Sequence, residues 1–386
     1  MAEIYRRPEL AAQMAKQLLH PGVLDEGLRS GLFLSGLRRT GKTTFLLNDL
    51  IPALEDAGAL VIYVDLWSDT QTSPAALVLS AVKKTLADLQ TPASSILQKL
   101  KRVGGADVGA FGFKFGFKLD SVGAEGGTTL AQALTEVVDQ AKTDVVVIVD
   151  EVQHAITSED GNQMLLALKS ARDAINPRPD TPGHFIFIGT GSHRALVSEL
   201  TARRNQAFTG ATSVPYPVLN GDYVEHLLKR LAQEAAVPLP SAAVATHAFA
   251  TLGNRPEEML KALRQLRHIP PGGNPDEHLP VIAATLRSAA ADIELMKVEQ
   301  LGGLATAIFE RIASTDGDAR GVFSSEAAAE YTKAIGREVR VEDIQPVAND
   351  LLAANLIMRR GHGVYGVTDP FVQEIWREKK ALGSKA

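Results

Sequence analysis

Eight residues, Gly36-Leu37-Arg38-Arg39-Thr40-Gly41-Lys42-Thr43, constrain what this chain can fold into more than any others. They fit the spacing G-x-x-x-x-G-K-[ST], and their flanks suit it. Ser30 to Ser35 reads as a short buried strand, and Thr44 to Leu50 reads as a helix. Strand, glycine-rich loop and helix together make the phosphate cradle known as Walker A. Glycines let successive backbone N–H groups curl around phosphate oxygens. The helix that follows points its positive end at the same anion. The loop from Gly36 to Thr44 is therefore expected to hold a nucleotide, ATP. Lys42 would reach the outer phosphates, and the Thr43 hydroxyl would ligate Mg²⁺.

The rest of the chain supplies the sheet that such a loop requires. Strand-like runs at Ala59–Leu66, at Val145–Val149 and at His184–Ser192, the last ending in small polar residues, alternate with helical stretches. The helices are expected at 3–20, from Ser73-Pro74 to about Leu89, at Ala93–Arg102, at Thr129–Lys142 and at Met164–Ile175. That alternation predicts an α/β fold, a doubly wound parallel sheet with a P-loop. Residues 104–127 break the rhythm. Phe111-Gly112-Phe113-Lys114-Phe115-Gly116-Phe117-Lys118 alternates strictly, which predicts an inserted strand or β-hairpin. Its aromatic face would pack on the body as an edge strand or serve as a contact surface.

After Val214-Pro215-Tyr216-Pro217 the strands stop. We expect a nucleotide-binding core over 1–217, a helical lid over 218–270, and then a Pro/Gly-rich turn at 270–275. One long helix is expected over about 276–314. Beyond it, helices at 325–335 and 341–355, strands at 356–359 and 364–368 and a final helix from Asp369 give a winged-helix pattern, so 276–386 reads as linker helix plus winged-helix domain. At 386 residues, two or three domains are in proportion. The chain has no cysteine, which removes disulfides, thiolate metal sites and cysteine nucleophiles. The N-terminus carries no apolar signal region, and the most apolar run is too short to span a bilayer. A cytoplasmic protein without membrane contact is the expectation. A net charge of −5 excludes a globally basic nucleic-acid binder but leaves room for a local basic patch.

Chemistry concentrates at strand ends. Asp150 closes the most apolar strand, where a Walker B carboxylate holds Mg²⁺ opposite Thr43. Glu151 follows and would polarise the attacking water as general base. Gln153 and His154 come next, with His154 read as local structure. Thr190 ends the following strand, where a hydroxyl would touch the γ-phosphate or the water; Ser192 is the alternative. Arg255, at a helix start in Gly253-Asn254-Arg255-Pro256, either forks onto the γ-phosphate or is a surface arginine. Arg203 and Arg204 either act as a trans finger on a neighbouring subunit's nucleotide or are structural.

These motifs resemble the AAA+ superfamily, and within it the bacterial and archaeal P-loop ATPases near the origin-recognition and STAND signalling clades. The resemblance is carried by Gly36–Thr44, by Val145–His154 (VVVIVDEVQH), by Gly189-Thr190-Gly191-Ser192 and by Gly253–Pro256. Arg6-Arg7-Pro8-Glu9-Leu10 and Tyr365–Phe371 add to it. The resemblance implies an AAA+ core, a lid carrying Arg255, a winged helix, ATP with Mg²⁺, and often self-assembly into homo-oligomers. The chain departs from the family at Phe208-Thr209-Gly210-Ala211, which lacks the usual arginine before the last core strand.

Two partners suit the C-terminal part. Arg337, Arg340, Arg359 and Arg360 stand where a winged helix contacts DNA phosphates. Glu338, Glu342, Asp343 and Asp350 balance their charge, and winged helices also bind proteins. The alternatives are thus an ATP-driven switch that contacts double-stranded DNA and a signalling ATPase that binds a protein effector.

Overall fold

The computed structural model describes residues 4–104, 112–202, 206–234, 238–270 and 272–383. Its centre is a five-stranded parallel sheet: β1 (Leu32–Ser35), β2 (Leu60–Asp65), β3 (Val145–Asp150), β4 (Phe185–Gly191) and β5 (Thr212–Pro215), in the order β2-β3-β4-β1-β5. Every residue of β3 and β4 is buried, because helices cover both faces of the sheet. Alternate residues of the sheet divide between two cores. Val145, Val147 and Val149 face one with the helices Pro74–Gln90, Leu130–Ala141 and Glu159–Ile175. Val146 and Ile148 face the other with Pro8–Leu19 and the helix after the glycine loop. Parallel register places Ser35 beside Gly191 and Val149 beside Gly189. The carboxyl ends of β1, β3 and β4 therefore open on the same edge, where open α/β sheets bind ligands.

The helix after β1 is not uniform. It starts at Lys42–Phe45, widens into a π-turn at Leu46–Leu50 and continues as Ile51–Asp56. The π-turn carries Asp49, which is 3% exposed and accepts bonds from Arg6 Nε (2.8 Å) and Arg7 N (3.1 Å). This pins the N-terminal segment beside the loop.

The described part of the expected β-hairpin, 112–118, contains no strand. Gly112 sits at φ +83°, and a Cβ there would lie 2.3 Å from the Gln90 carbonyl oxygen. Its glycine permits a close backbone crossing rather than a pleated face. Phe113 enters the main core, and Phe115 and Phe117 stack at 5.3 Å against its margin. Phe111 lies outside the described residues.

Helices Gly221–Glu234, Ala242–Thr251 and Pro256–Gln265 build a third core with the first half of Pro275–Gln300. The single helix expected over 276–314 is two, Pro275–Gln300 and Gly303–Ser314, broken at Gly302, whose φ is +97°. A fourth core joins Gly303–Ser314, Ser325–Ile335 and Val341–Ala353 to a three-stranded antiparallel sheet: β6 (Ala319–Arg320), β7 (Ile357–Gly361) and β8 (Val364–Val367), in the order β6-β8-β7. Ala195 of the helix Arg194–Ala202 is buried in that same core, so the C-terminal unit seats on the segment that follows β4. Among the described residues, no helix is long and apolar enough to cross a membrane.

Candidate functional site

The loop Gly36–Thr43 occupies the end of β1. Gly41 takes φ +90° and Arg39 +65°, the left-handed turns that curl the backbone inward. Gly36 has Tyr216 Cβ 3.1 Å from where its own Cβ would stand. Thr40 ties the loop with a 2.9 Å bond to the Leu37 carbonyl. Lys42 is 6% exposed and donates to the carbonyls of Gly36 and Leu37, both at 2.8 Å. Burial pulls its ammonium down to about 8, against the opposing pull of Glu151 and Asp150.

Asp150 is 1% exposed and gathers the strand ends. Its Oδ2 accepts from Thr43 Oγ1 at 2.7 Å and from the Tyr63 hydroxyl at 3.3 Å; its Oδ1 accepts from Thr190 Oγ1 and the Glu151 N–H. Thr43 and Asp150, the two expected metal ligands, are thus in contact. Among the described residues no cluster of three His, Cys, Asp or Glu side chains could cage a metal ion. Two hard oxygen donors beside a phosphate loop nevertheless suit Mg²⁺, which takes few protein ligands and the rest from phosphate and water.

Thr190 lies beneath Asp150, whereas Ser192 turns toward Glu151. Ser192 Oγ donates to Glu151 Oε2 at 2.8 Å, and Gln153 Nε2 donates to the same oxygen. His154 lies 5.6 Å from the Trp67 ring and takes no part in this cluster. Arg38 stacks 4.9 Å over Trp67, with its Nε 3.4 Å from Ser192 Oγ. Arg39 reaches across to the lid, 3.0 Å from Glu257. Arg203 and Arg204 lie outside the described residues.

Arg255 does not point freely at the phosphate loop. Its Nη2 pairs with Asp369 Oδ2 at 2.6 Å, and both side chains are about four-fifths buried. Three further bonds join the segment after β4 to the C-terminal unit: His193 Nε2 to the Ala353 carbonyl at 3.0 Å, Arg194 Nη1 to the Thr368 carbonyl at 2.7 Å, and Ser198 Oγ to the Arg359 carbonyl at 3.1 Å. Arg359 also donates to the Tyr365 hydroxyl, and Arg360 pairs with Asp318. Arg340 lies between Glu338 and Glu342, and Arg337 is exposed.

Sequence reasoning missed one part of the site. A cavity of about 420 Å³ opens between the N-terminal segment, the start of the loop helix and the helix Gly221–Glu234. Tyr5, Arg7, Thr44, Tyr216, Tyr223 and His226 line it. The buried Nε2 of His226 has no protein partner there. Arg7 is held against Tyr216 and Phe45 and bonds to the Pro217 carbonyl at 2.5 Å. The Arg6-Arg7 pair was the only signal for this cavity, since its other walls come from distant segments.

Residues 26–197 match the AAA domain family. No curated protein matches the chain in sequence. Among solved structures, a Walker-type ATPase of Pyrococcus abyssi is similar over 97% of this chain and 96% of its own, at 17% identity and a TM-score of 0.54. The ADP form of the Aeropyrum pernix ORC2 protein is similar over 98% and 96%, at 13% identity and a TM-score of 0.51. These likenesses are of fold. Residues 26–197 thus carry the match to the AAA domain, and the likeness of fold extends over the helical C-terminal region.

Proposed function

We propose that this chain is an AAA+ P-loop ATPase, an ATP-hydrolysing switch in which the γ-phosphate competes with the C-terminal unit for one arginine. The observation that carries this is the Arg255–Asp369 pair, made by the residue expected to read the γ-phosphate in a cavity that Leu37, Arg38 and Arg39 of the loop also line. An arginine held by a carboxylate in one state and by phosphate in the other supplies the differential contact that a ligand-driven population shift needs.

The parts fit ATP as substrate. The purine and ribose would enter the aromatic cavity beside Tyr216 and Tyr223, where the unpartnered His226 nitrogen can meet the base edge. The phosphates would lie along Gly36–Thr43, and Lys42 would exchange its two carbonyl partners for phosphate oxygens. Thr43 and Asp150 would hold Mg²⁺, which neutralises charge on the phosphates when bound. Glu151 would take the proton of the attacking water. The interface with the C-terminal unit would then loosen as Arg255 changes partner.

The C-terminal order of helix, strand, two helices and antiparallel ribbon supports reading this unit as a winged helix. Arg359 and Arg360, engaged within the ribbon, suit a module docked on its own core. We therefore place a protein effector ahead of DNA as the partner of the released unit. DNA is the second reading, supported by the exposed Arg337 and Arg340 at the approach to the helix Val341–Ala353. The switch is tested by protease protection of the C-terminal unit with ATP, ADP and no nucleotide. ATP should expose it, and Arg255→Ala should erase the difference between ATP and ADP. Equal protection with all ligands in the wild type would remove the switch.

A further inference from the structure

We infer that Gln153 is a positioning residue for hydrolysis: with Ser192 it clamps one oxygen of the Glu151 carboxylate so that the other is presented to the attacking water. The inference rests on the hydrolytic reading above and names the device that aims its general base.

Three donors converge on Glu151 Oε2: Gln153 Nε2, Ser192 Oγ at 2.8 Å and the Ser192 N–H at 3.3 Å. Among the described residues, none of these donors goes to Oε1. Glu151 itself is a non-glycine residue at φ 54°, a conformation that persists only where its surroundings enforce it. Backbone and side chain are thus both constrained. A carboxylate with one oxygen saturated and its χ angles fixed loses little freedom on reaching the transition state, which is how orientation lowers a barrier.

The neighbourhood is shaped around this glutamine. Gln153 sits in the short 3₁₀-helix Val152–Thr157, under the end of β4, and is 3% exposed. Gly191 stands against it: a Cβ there would come within 2.2 Å of Gln153 Oε1. That Oε1 is buried with no partner. A buried, half-satisfied amide costs stability, and an apolar side chain of the same shape would avoid the cost. A residue present only for packing would not be a glutamine here. The same Ser192 Oγ lies 3.4 Å from Arg38 Nε, so the clamp also touches the phosphate loop.

The decisive variant is Gln153→Met, which keeps the shape and removes the donor. Single-turnover ATP hydrolysis, ATP affinity and thermal midpoint are measured together. The clamp predicts a 10- to 100-fold loss of hydrolysis, roughly the cost of a misplaced catalytic group, with affinity changed less than about twofold and a midpoint equal to or above wild type. On a Glu151→Gln background the same substitution should produce no further loss, because it acts only through Glu151. If Gln153→Met fails to fold, Gln153→Leu removes the donor with a smaller apolar side chain and should show the same loss. Wild-type turnover in a folded variant would overturn the clamp, as would a loss that recurs in full on the Glu151→Gln background. A wild-type protein that binds ATP without hydrolysing it overturns the hydrolytic reading, and the clamp with it; active wild type with unaffected Gln153 variants overturns the clamp alone.

Discussion

Replacing Asp369 with Asn removes the acceptor that holds Arg255 while leaving the shape of the side chain. Asp369 uses its two oxygens separately: Oδ2 holds Arg255 at 2.6 Å, and Oδ1 accepts the Phe371 N–H at 3.0 Å at the start of the helix Pro370–Gly383. Asparagine caps helices as well as aspartate does, so the helix start should survive. The single amide oxygen then stays with the Phe371 N–H, and the amide NH2 faces Arg255 as a second donor, so the bond to the guanidinium is lost. With 21% and 18% of the two side chains exposed, the pair is sheltered enough for that loss to be felt. We put it at about 2 kcal/mol, mid-range for a hydrogen bond to a charged group. That corresponds to about thirtyfold in an equilibrium constant. If the γ-phosphate must win Arg255 from Asp369, ATP affinity should rise by up to about thirtyfold in Asp369→Asn. ADP affinity should not move, since ADP has no γ-phosphate to offer. Competition against a fluorescent nucleotide at constant Mg²⁺ gives both constants, and circular dichroism checks the helix. Equal shifts for ATP and ADP, or none for either, would refute the competition.

Lys42→Ala should abolish tight ATP binding, and Glu151→Gln should keep binding but stall hydrolysis; nucleotide titration and phosphate release read the two, and wild-type turnover in Glu151→Gln would remove the general-base role. Burial holds the free Lys42 ammonium at about 8, so above that pH the ligand-free lysine is neutral and must take up a proton to meet phosphate. ATP affinity should therefore fall, approaching tenfold per pH unit above about 8, and Lys42→Arg should flatten the profile. Because the folded value lies below the ordinary 10.5, the ligand-free protein should gain stability from Lys42 as pH rises from about 8 to 10.5, readable in its thermal midpoint. If the released C-terminal unit binds DNA, Arg337→Ala with Arg340→Ala should weaken binding and reduce the salt slope by roughly 0.9 for each phosphate no longer neutralised. A slope near zero in the wild type favours the protein effector.

Local features were legible because one segment contained all their physics. The run Val145–Asp150 reads as a central strand, and all six residues are buried. Ser73-Pro74 reads as a helix start, and Ser73 Oγ accepts the Ala76 N–H at 3.2 Å. The Thr43–Asp150 contact followed from knowing that a phosphate loop and a neighbouring strand end share one edge of a parallel sheet. The Phe-Gly alternation misled because a period of two says nothing about why the glycines are there. Gly112 serves a crossing with Gln90, which lies on a different segment. The break at Gly302 carried a signal, two adjacent glycines, that helical periodicity on both sides outweighed. The cavity beside Tyr216 left no trace beyond Arg6-Arg7, and the Asp369 partner of Arg255 left none, since each joins segments far apart in the chain.

The position of Arg255 shows why the sensor role proposed for it resists assignment from sequence or from one conformation. A guanidinium beside a phosphate loop and a carboxylate has two strong partners of the same charge, and its role lies in the difference between them. The C-terminal unit does not depend on that one pair. His193, Arg194 and Ser198 bond its backbone carbonyls, and those bonds involve no phosphate-seeking group except Arg194, whose partner is the Thr368 carbonyl next to Asp369. Release of Arg255 would thus remove one of several interactions, among them the burial of Ala195 and the Arg287–Glu374 pair. Such an arrangement gives a graded shift in population rather than complete release. It also fixes the order of severity expected among variants. Asp369→Asn should loosen docking least, Arg255→Ala more, and Arg255→Ala with Arg194→Ala most, because the last removes both guanidinium bonds to the turn at Thr368-Asp369. Protease protection of the C-terminal unit without nucleotide should follow that order, and an inverted order would place the restraint elsewhere than at this turn.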